Sequence, residues 1–455
     1  MLKKENKMGT YKILPLLLSM SIPPTISMLI NSLYNIVDSI FVARLGTEAL
    51  TAVSLAFPVQ NLILALAVGS GVGVNSLIAR KLGEKEYGIA SKAAASGLIL
   101  SIIHYLILSL LGILLIKPFF LLFTKESNIL NMGIEYTYIV TFLSIGTITQ
   151  IAIEKILQAT GNTLAPMFLQ IIGAITNIIL DPILIYGYSG LPVLGVKGAA
   201  IATVIGQMTS LFCSLYVLFF TRQELKIEKK DFVWDKNIIK DIYSVGIPSF
   251  FIMSIGSFLV MGINYILSGI STIAVSLFGI YFKLQTFIYM PTSGVTQGAM
   301  PIMGYSYGAK NSKRLLEVLN YSIIICVLIN FLGSVIFWIY PQEILHFFDA
   351  SEEMMVMGVK TIRIISTTYS IGSVCFIFSC FLQAIGKGIP SLTITMLRQL
   401  ILLLPMAYIL GKIYGLTGVW LAFPVVEVIT CIISILIYRD FKKKDPVMSL
   451  KYEKN

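Results

Sequence analysis

Apolar residues run through this chain in long blocks separated by short polar breaks. Each block approaches or exceeds the ~20 residues that a helix needs to cross a bilayer. Taken in order they predict twelve crossing helices, over 13–41, 48–80, 93–116, 134–157, 165–188, 196–220, 238–268, 272–307, 318–340, 357–384, 390–411 and 415–438. Several exceed the bilayer thickness, which predicts tilt or projection into the cytosol. Polar positions inside the blocks do not alternate in strands of about 10 residues, so a membrane β-barrel is excluded. The first block is too long for a signal peptide, holds Pro23, Pro24 and Asp38, and lacks a small-residue cleavage site. It reads as a retained helix.

The pattern repeats. Adding 225 to a position in the first half gives its counterpart: Ile22-Pro23 becomes Ile247-Pro248, Phe57 becomes Phe282, and Gln60 becomes Gln285. Gly69 and Gly73 become Gly294 and Gly298, Gly83 and Lys85 become Gly308 and Lys310, and Leu157-Gln158-Ala159 with Gly161 becomes Leu382-Gln383-Ala384 with Gly386. Further along the offset falls to 220, so that Gly195 and Gly198 match Gly415 and Gly418. Six helices per repeat is an even number, so the halves run the same way across the membrane, related by an axis along its normal. The fold class is therefore an all-α polytopic membrane protein, with two parallel six-helix lobes around a central cavity. The predicted organisation is a cytosolic tail 1–12, a first lobe 13–220, a linker 221–237, a second lobe 238–438 and a tail 439–455. Rocking of such lobes gives alternating access. The Gly69/Gly73 and Gly294/Gly298 pairs place small residues one turn apart, which serves close helix packing.

Composition agrees. The chain is 56% hydrophobic and 13% charged, against about 45–50% and about 25% for soluble proteins. A soluble enzyme is excluded. The net charge of +11 belongs to topology and not to nucleic acid, because the cations sit between apolar runs. With the N-terminus inside, cytosolic segments hold most of the 34 Lys and Arg, including Lys3, Lys4, the 222–240 group and Lys451 and Lys454. The outer loops hold Arg44, Lys117, Lys125, Lys197 and Lys412. That bias places both termini in the cytosol, and the plasma membrane is the expected location. Cys213, Cys326, Cys375, Cys380 and Cys431 all lie in apolar runs without metal or redox spacing.

Ionisable groups within spans are costly and point to function. In the first lobe these are Asp38, Asp181 and His104. Asn31, Asn35 and Asp38 share one face of the first helix, and Asn177 and Asp181 share one face of the fifth. Thr203 of the sixth lies at the same depth. Asn35, Asp38, Asn177, Asp181 and Thr203 are thus expected to meet in one layer. Two close carboxylates disfavour double ionisation, which suits the pair to accept a proton. The oxygens of Asp38, Asn177, Asp181 and Thr203 equally suit Na+. The competing reading makes Asp181 a cap of a broken helix before Pro182 and leaves Asp38 merely meeting solvent near the outer surface. His104 reads as a packing residue with a hydrogen bond. In the second lobe, Lys283 and Glu427 fall near mid-depth and are expected to form a structural ion pair, with Arg398 and Arg363 also structural. No GxxxxGK[ST] or HExxH motif occurs, so neither ATP drive within the chain nor that zinc site is expected. Gly304 to Gly308 spells GxSxG but lies inside an apolar block, so no nucleophile elbow is expected there.

The stretch Leu33 to Asp38 with Gly46 and Ala52, Gln158-Ala159-Thr160-Gly161, Asn177 to Leu184 (NIILDPIL), and Gly195 to Ala200 with Thr203 resemble the multidrug and toxic compound extrusion (MATE) family. The resemblance spans about 10–440, and the helix-five motif points to MepA-like and DinF-like bacterial members. It implies a secondary transporter, not an enzyme, exporting lipophilic or cationic compounds in exchange for H+ or Na+, with no other cofactor. It places the coupling acids on Asp38 and Asp181 and associates Asn177 and Thr203 with them. Members with acids in the cores of helices seven and ten differ: here the core of helix seven has only Asn264 as a strong polar group, and that of helix ten only Arg363 and Gln383. The expected partners are small molecules and membrane lipid, with the monomer as functional unit. A lipid-linked oligosaccharide flippase would want several cavity cations for its pyrophosphate, and an intramembrane enzyme would want a His/Asp or Arg-rich catalytic loop. A major-facilitator carrier would carry a DRxGRR-type loop, where this chain has Ala79 to Lys85.

Overall fold

The computed structural model describes residues 6–348 and 350–449; Lys3, Lys4, Lys451 and Lys454 of the tails lie outside the described residues. The crossings are α1 (Ile13–Ala43), α2 (Thr47–Gly83), α3 (Tyr87–Phe123), α4 (Ser127–Phe142 with Ile145–Ala159), α5 (Leu164–Tyr186) and α6 (Val196–Phe220). After the linker come α7 (Lys236–Ser268), α8 (Thr272–Gly308), α9 (Ser312–Ile339) and α10 (Glu352–Ser366 with Tyr369–Ala384). The stretch Gly388–Lys444 holds α11 and α12, separated by the non-helical residue Gly415. Among the described residues, nine helices are long and apolar enough to cross, or eleven with each bent pair as one span. Division at Gly415 completes twelve.

Backbone detail repeats as the sequence does. Both α4 and α10 bend, by 43° and 44°, at equivalent places. Lys85 and Lys310 adopt left-handed φ of 61° and 54°. Each closes a helix end the same way: Glu86 N–H donates to the Lys81 carbonyl at 2.9 Å and Asn311 N–H to the Ser306 carbonyl at 2.9 Å. These bonds satisfy carbonyls that the ending helix leaves open. Gly195 and Gly415 share φ near 60° with ψ of −132° and −146°, a conformation that a Cβ would strain.

The chain divides into two compact units, but inside helices and not at the linker. The first unit comprises Met1–Asn6 and Ile22–Phe250, the second Lys7–Ser21 and Phe251–Asn455. The start of α1 therefore packs with the second unit, and the start of α7 with the first. The divisions adjoin Pro23 and Pro24 in α1 and Pro248 in α7, where a helical hydrogen bond is lost. The glycine pairs explain the packing. In the first unit a Cβ on Gly69 would sit 2.7 Å from the Phe250 backbone, and one on Gly73 would collide with the Ile242 carbonyl. In the second, a Cβ on Gly298 would sit 2.7 Å from the Met20 and Ser21 backbone. These glycines let helices approach to backbone contact.

Gly73→Ala and Gly298→Ala are each expected to destabilise by about 1–3 kcal/mol through overpacking. Gly88→Ala, with open space around the added carbon, should be neutral or stabilising. Thermal unfolding of purified protein checks this; equal melting of all three would remove the packing role.

Candidate functional site

In the first unit, α5 and α6 lie close because Gly173 and Gly206 face each other. A Cβ on Gly206 would lie 2.7 Å from the Gly173 carbonyl oxygen. One turn on, Asn177 Nδ2 reaches Thr203 Oγ1 at 3.5 Å and donates to Asp181 Oδ1 at 3.2 Å. Asp181 is fully buried and Asn177 buried. The helix continues through Pro182 to Tyr186, so Asp181 lies within α5 and does not cap a broken end. Asp38, on α1, interacts electrostatically with Asp181. The structure thus brings together Asp38, Asn177, Asp181 and Thr203.

Asp38 Oδ1, Asn177 Oδ1 and Asp181 Oδ2 are buried without a hydrogen-bond partner among the described residues. Burying polar oxygens unpaired is costly, and a proton or a hard cation is the group they lack. Asn35 is placed elsewhere: it is exposed, and its Nδ2 donates to Asn31 Oδ1 at 3.1 Å. Sequence reasoning missed two tyrosines. Tyr34 and the buried Tyr136 both interact electrostatically with the two acids, and Gln60 Nε2 donates to Tyr136 Oη at 2.9 Å. Tyr34 precedes Asp38 by one turn, which was the available signal. Tyr136 arrives from another helix and had none.

His104 is buried, and its Nε2 lies 2.8 Å from Tyr243 Oη. A second buried network in this unit was also missed. Lys155 lies inside α4, which continues to Ala159. Lys155 Nζ lies 3.2 Å from Glu154 Oε1 and donates to Gln158 Oε1 at 3.0 Å. Gln170 Nε2 donates to Glu154 Oε2 at 2.6 Å.

In the second unit, the expected Lys283–Glu427 pair is corrected. Glu427 Oε1 accepts from Arg398 Nε at 2.8 Å, while Lys283 is exposed. Similar depth did not mean facing side chains, since Lys283 is on an exposed face of α8. Arg398 lies in a π-helical turn, Leu397–Ile401, which shifts the register of α11 and directs the guanidinium inward. It also lies 6.0 Å from the Tyr289 ring, in a space that Gly372 leaves open.

A family model for MatE matches residues 23–183 and again 248–409, in step with the repeat. An FAD transporter of Shewanella oneidensis is 27% identical, over 91% of each chain. The multidrug export protein MepA of Staphylococcus aureus is 26% identical, over 92% of this chain and 91% of its own. An outward-facing multidrug resistance transporter structure is 28% identical with a TM-score of 0.89, covering 96% of this chain and 97% of that one. A Pyrococcus furiosus transporter structure, described by a binding pocket of reversed polarity that suggests a different function, is 27% identical with the same TM-score and coverage.

Arg398→Met or Glu427→Leu alone should cost about 3–5 kcal/mol, because each strands a buried charge. The double variant should recover much of that loss, and Lys283→Met should leave melting unchanged. A thermal double-mutant cycle reads this; coupling of Glu427 to Lys283 instead of Arg398 would reverse the assignment.

Proposed function

The chain belongs to the MATE family of membrane transporters, and from that premise we propose that it exports lipophilic organic compounds in exchange for H+ or Na+. It is a multi-pass transporter of small molecules and not an enzyme. The observation that carries the coupling proposal is the set of three unpartnered buried oxygens on Asp38, Asn177 and Asp181. Two carboxylates in contact resist simultaneous ionisation, so the pair holds either a shared proton or a cation that neutralises both. The Asn177 amide donates to one Asp181 oxygen and leaves the other toward the ion.

Asp38 sits on α1, which contributes to both compact units. A change in its protonation therefore acts on a helix already weakened at Pro23 and Pro24. We place the protein in the plasma membrane with both termini in the cytosol, on the distribution of Lys and Arg. The relatives are named for cargo as different as FAD and drugs, so family membership fixes transport and not the charge of the cargo.

Asp38→Asn and Asp181→Asn should each abolish gradient-driven dye accumulation in everted vesicles while the protein still inserts and melts normally. Ethidium and carboxyfluorescein are the probes, with H+ and Na+ gradients imposed separately. The gradient that drives wild-type uptake identifies the coupling ion. Wild-type rates in either variant would remove the coupling assignment, and uptake of neither dye under either gradient would overturn the export reading.

A further inference from the structure

One charge in the second unit has no account in the site above. Lys283 is exposed on α8 and has no ion-pair or hydrogen-bond partner among the described residues. Eleven residues separate it from the outer helix end at Thr272, or about 16 Å of helix rise. That is too deep for the ammonium to reach the outer interface by extending its stem.

Its neighbours show what the face meets. Thr272, Ser276, Gly279, Lys283 and Thr286 follow helical spacing on one side of α8, and every one is exposed. Ser276 and Thr286 hydroxyls donate to the Thr272 and Phe282 carbonyls on their own helix, so they neutralise nothing on Lys283. The repeat places Thr47, Thr51, Ser54, Pro58 and Asn61 at the same positions of α2, the first four exposed and Asn61 half-buried. This polar stripe is a property of both repeats, and Lys283 is its charged member. An unpaired ammonium against acyl chains is too costly to stand at that depth. The stripe therefore faces water within the membrane, and Phe287, 61% exposed, lies one turn from the ammonium on nearly the same side.

We infer that Lys283 is a substrate-recognition residue and that the compounds it selects are aromatic organic anions. The ammonium takes the acidic group, and the Phe287 ring takes the aromatic body. A cationic compound meets like charge there. The inference rests on the export reading and names its substrate class.

Binding tests it apart from transport. Carboxyfluorescein, an aromatic anion, and ethidium, an aromatic cation, are titrated into purified full-length protein in phosphatidylcholine nanodiscs, read by fluorescence anisotropy. Lys283→Met should weaken carboxyfluorescein about tenfold or more, the scale of one charged contact, and leave ethidium unchanged or tighter. Lys283→Arg should retain the anion, and Lys283→Glu should reverse the preference. Because Lys283 is exposed and unpaired, these variants should melt as the wild type does. An equal change for both dyes, or none for either, overturns the inference. So does displacement of carboxyfluorescein by phosphatidylglycerol added to the nanodisc, which would make Lys283 a lipid-headgroup contact. In vesicles, gradient-driven uptake that Lys283→Met leaves intact for both dyes sinks this inference alone. Specific binding without gradient-driven uptake of either dye sinks the export reading and leaves the recognition role to be judged on binding.

Discussion

Inside a bilayer a charge must find a partner or water, and that constraint organises the polar chemistry of this molecule. Arg398 meets Glu427, Lys155 meets Glu154, and His104 meets Tyr243. Each pair is a local solution, since breaking it strands a charge or, at His104, a buried polar group. Even these pairs leave Glu427 Oε2 and His104 Nδ1 without a hydrogen-bond partner among the described residues, and two other places have no counter-charge at all. Among the described residues, the Asp38–Asp181 cluster retains oxygens without partners, and Lys283 has no partner on its exposed face. Both therefore keep a charge whose demand is unmet within the described residues.

The two repeats share a backbone and diverge in chemistry. The counterpart of Asp38 in the second unit is Ile263, fully buried in an apolar cluster with Leu259, Leu267 and Trp420. That unit has no acid at the equivalent place on α7. Conversely, Gln207 of the first unit corresponds at offset 220 to Glu427, which is balanced by Arg398. The Glu154–Lys155–Gln158 network corresponds to Ser379, Cys380 and Gln383, where Ser379 Oγ lies 3.4 Å from Thr395 Oγ1 and Gln383 Nε2 donates to Ser391 Oγ at 2.9 Å. Neutral hydrogen bonds there replace a charged network. One architecture thus carries ionic or neutral polar cores at equivalent positions.

Much of this was legible in the sequence because hydropathy and repeat spacing are one-dimensional signals. The spans, the offset of 225 and the gathering of Asp38, Asn177, Asp181 and Thr203 follow from depth plus helical period. What failed needed rotation about the helix axis. Lys283 and Glu427 share a depth, but facing is set by packing and by the π-helical turn that carries Arg398. Asn35 sits three residues before Asp38, yet it bonds back to Asn31 and stays exposed. The break inside α4, between Phe142 and Ile145, has no proline to announce it. The division of α1 and α7 between units was masked by the linker, whose charges mark a topological boundary and not a packing one.

That division bears on how a local ionisation could have distant effect. A site confined to one rigid unit would change only its own surroundings. Asp38 is instead carried by a helix whose residues before Ile22 pack in the other unit, with Gly298 accepting the Met20 and Ser21 backbone there. The proline pair lies between the site and that contact, where the helix has lost hydrogen bonds and bends at low cost. By the repeat, α7 makes the reciprocal arrangement, with Gly69 and Gly73 holding its start and Pro248 adjoining the division. But α7 carries Ile263 where α1 carries Asp38. The proline-adjoined division is therefore duplicated while the acid is single, so the symmetry of the fold is broken at Asp38.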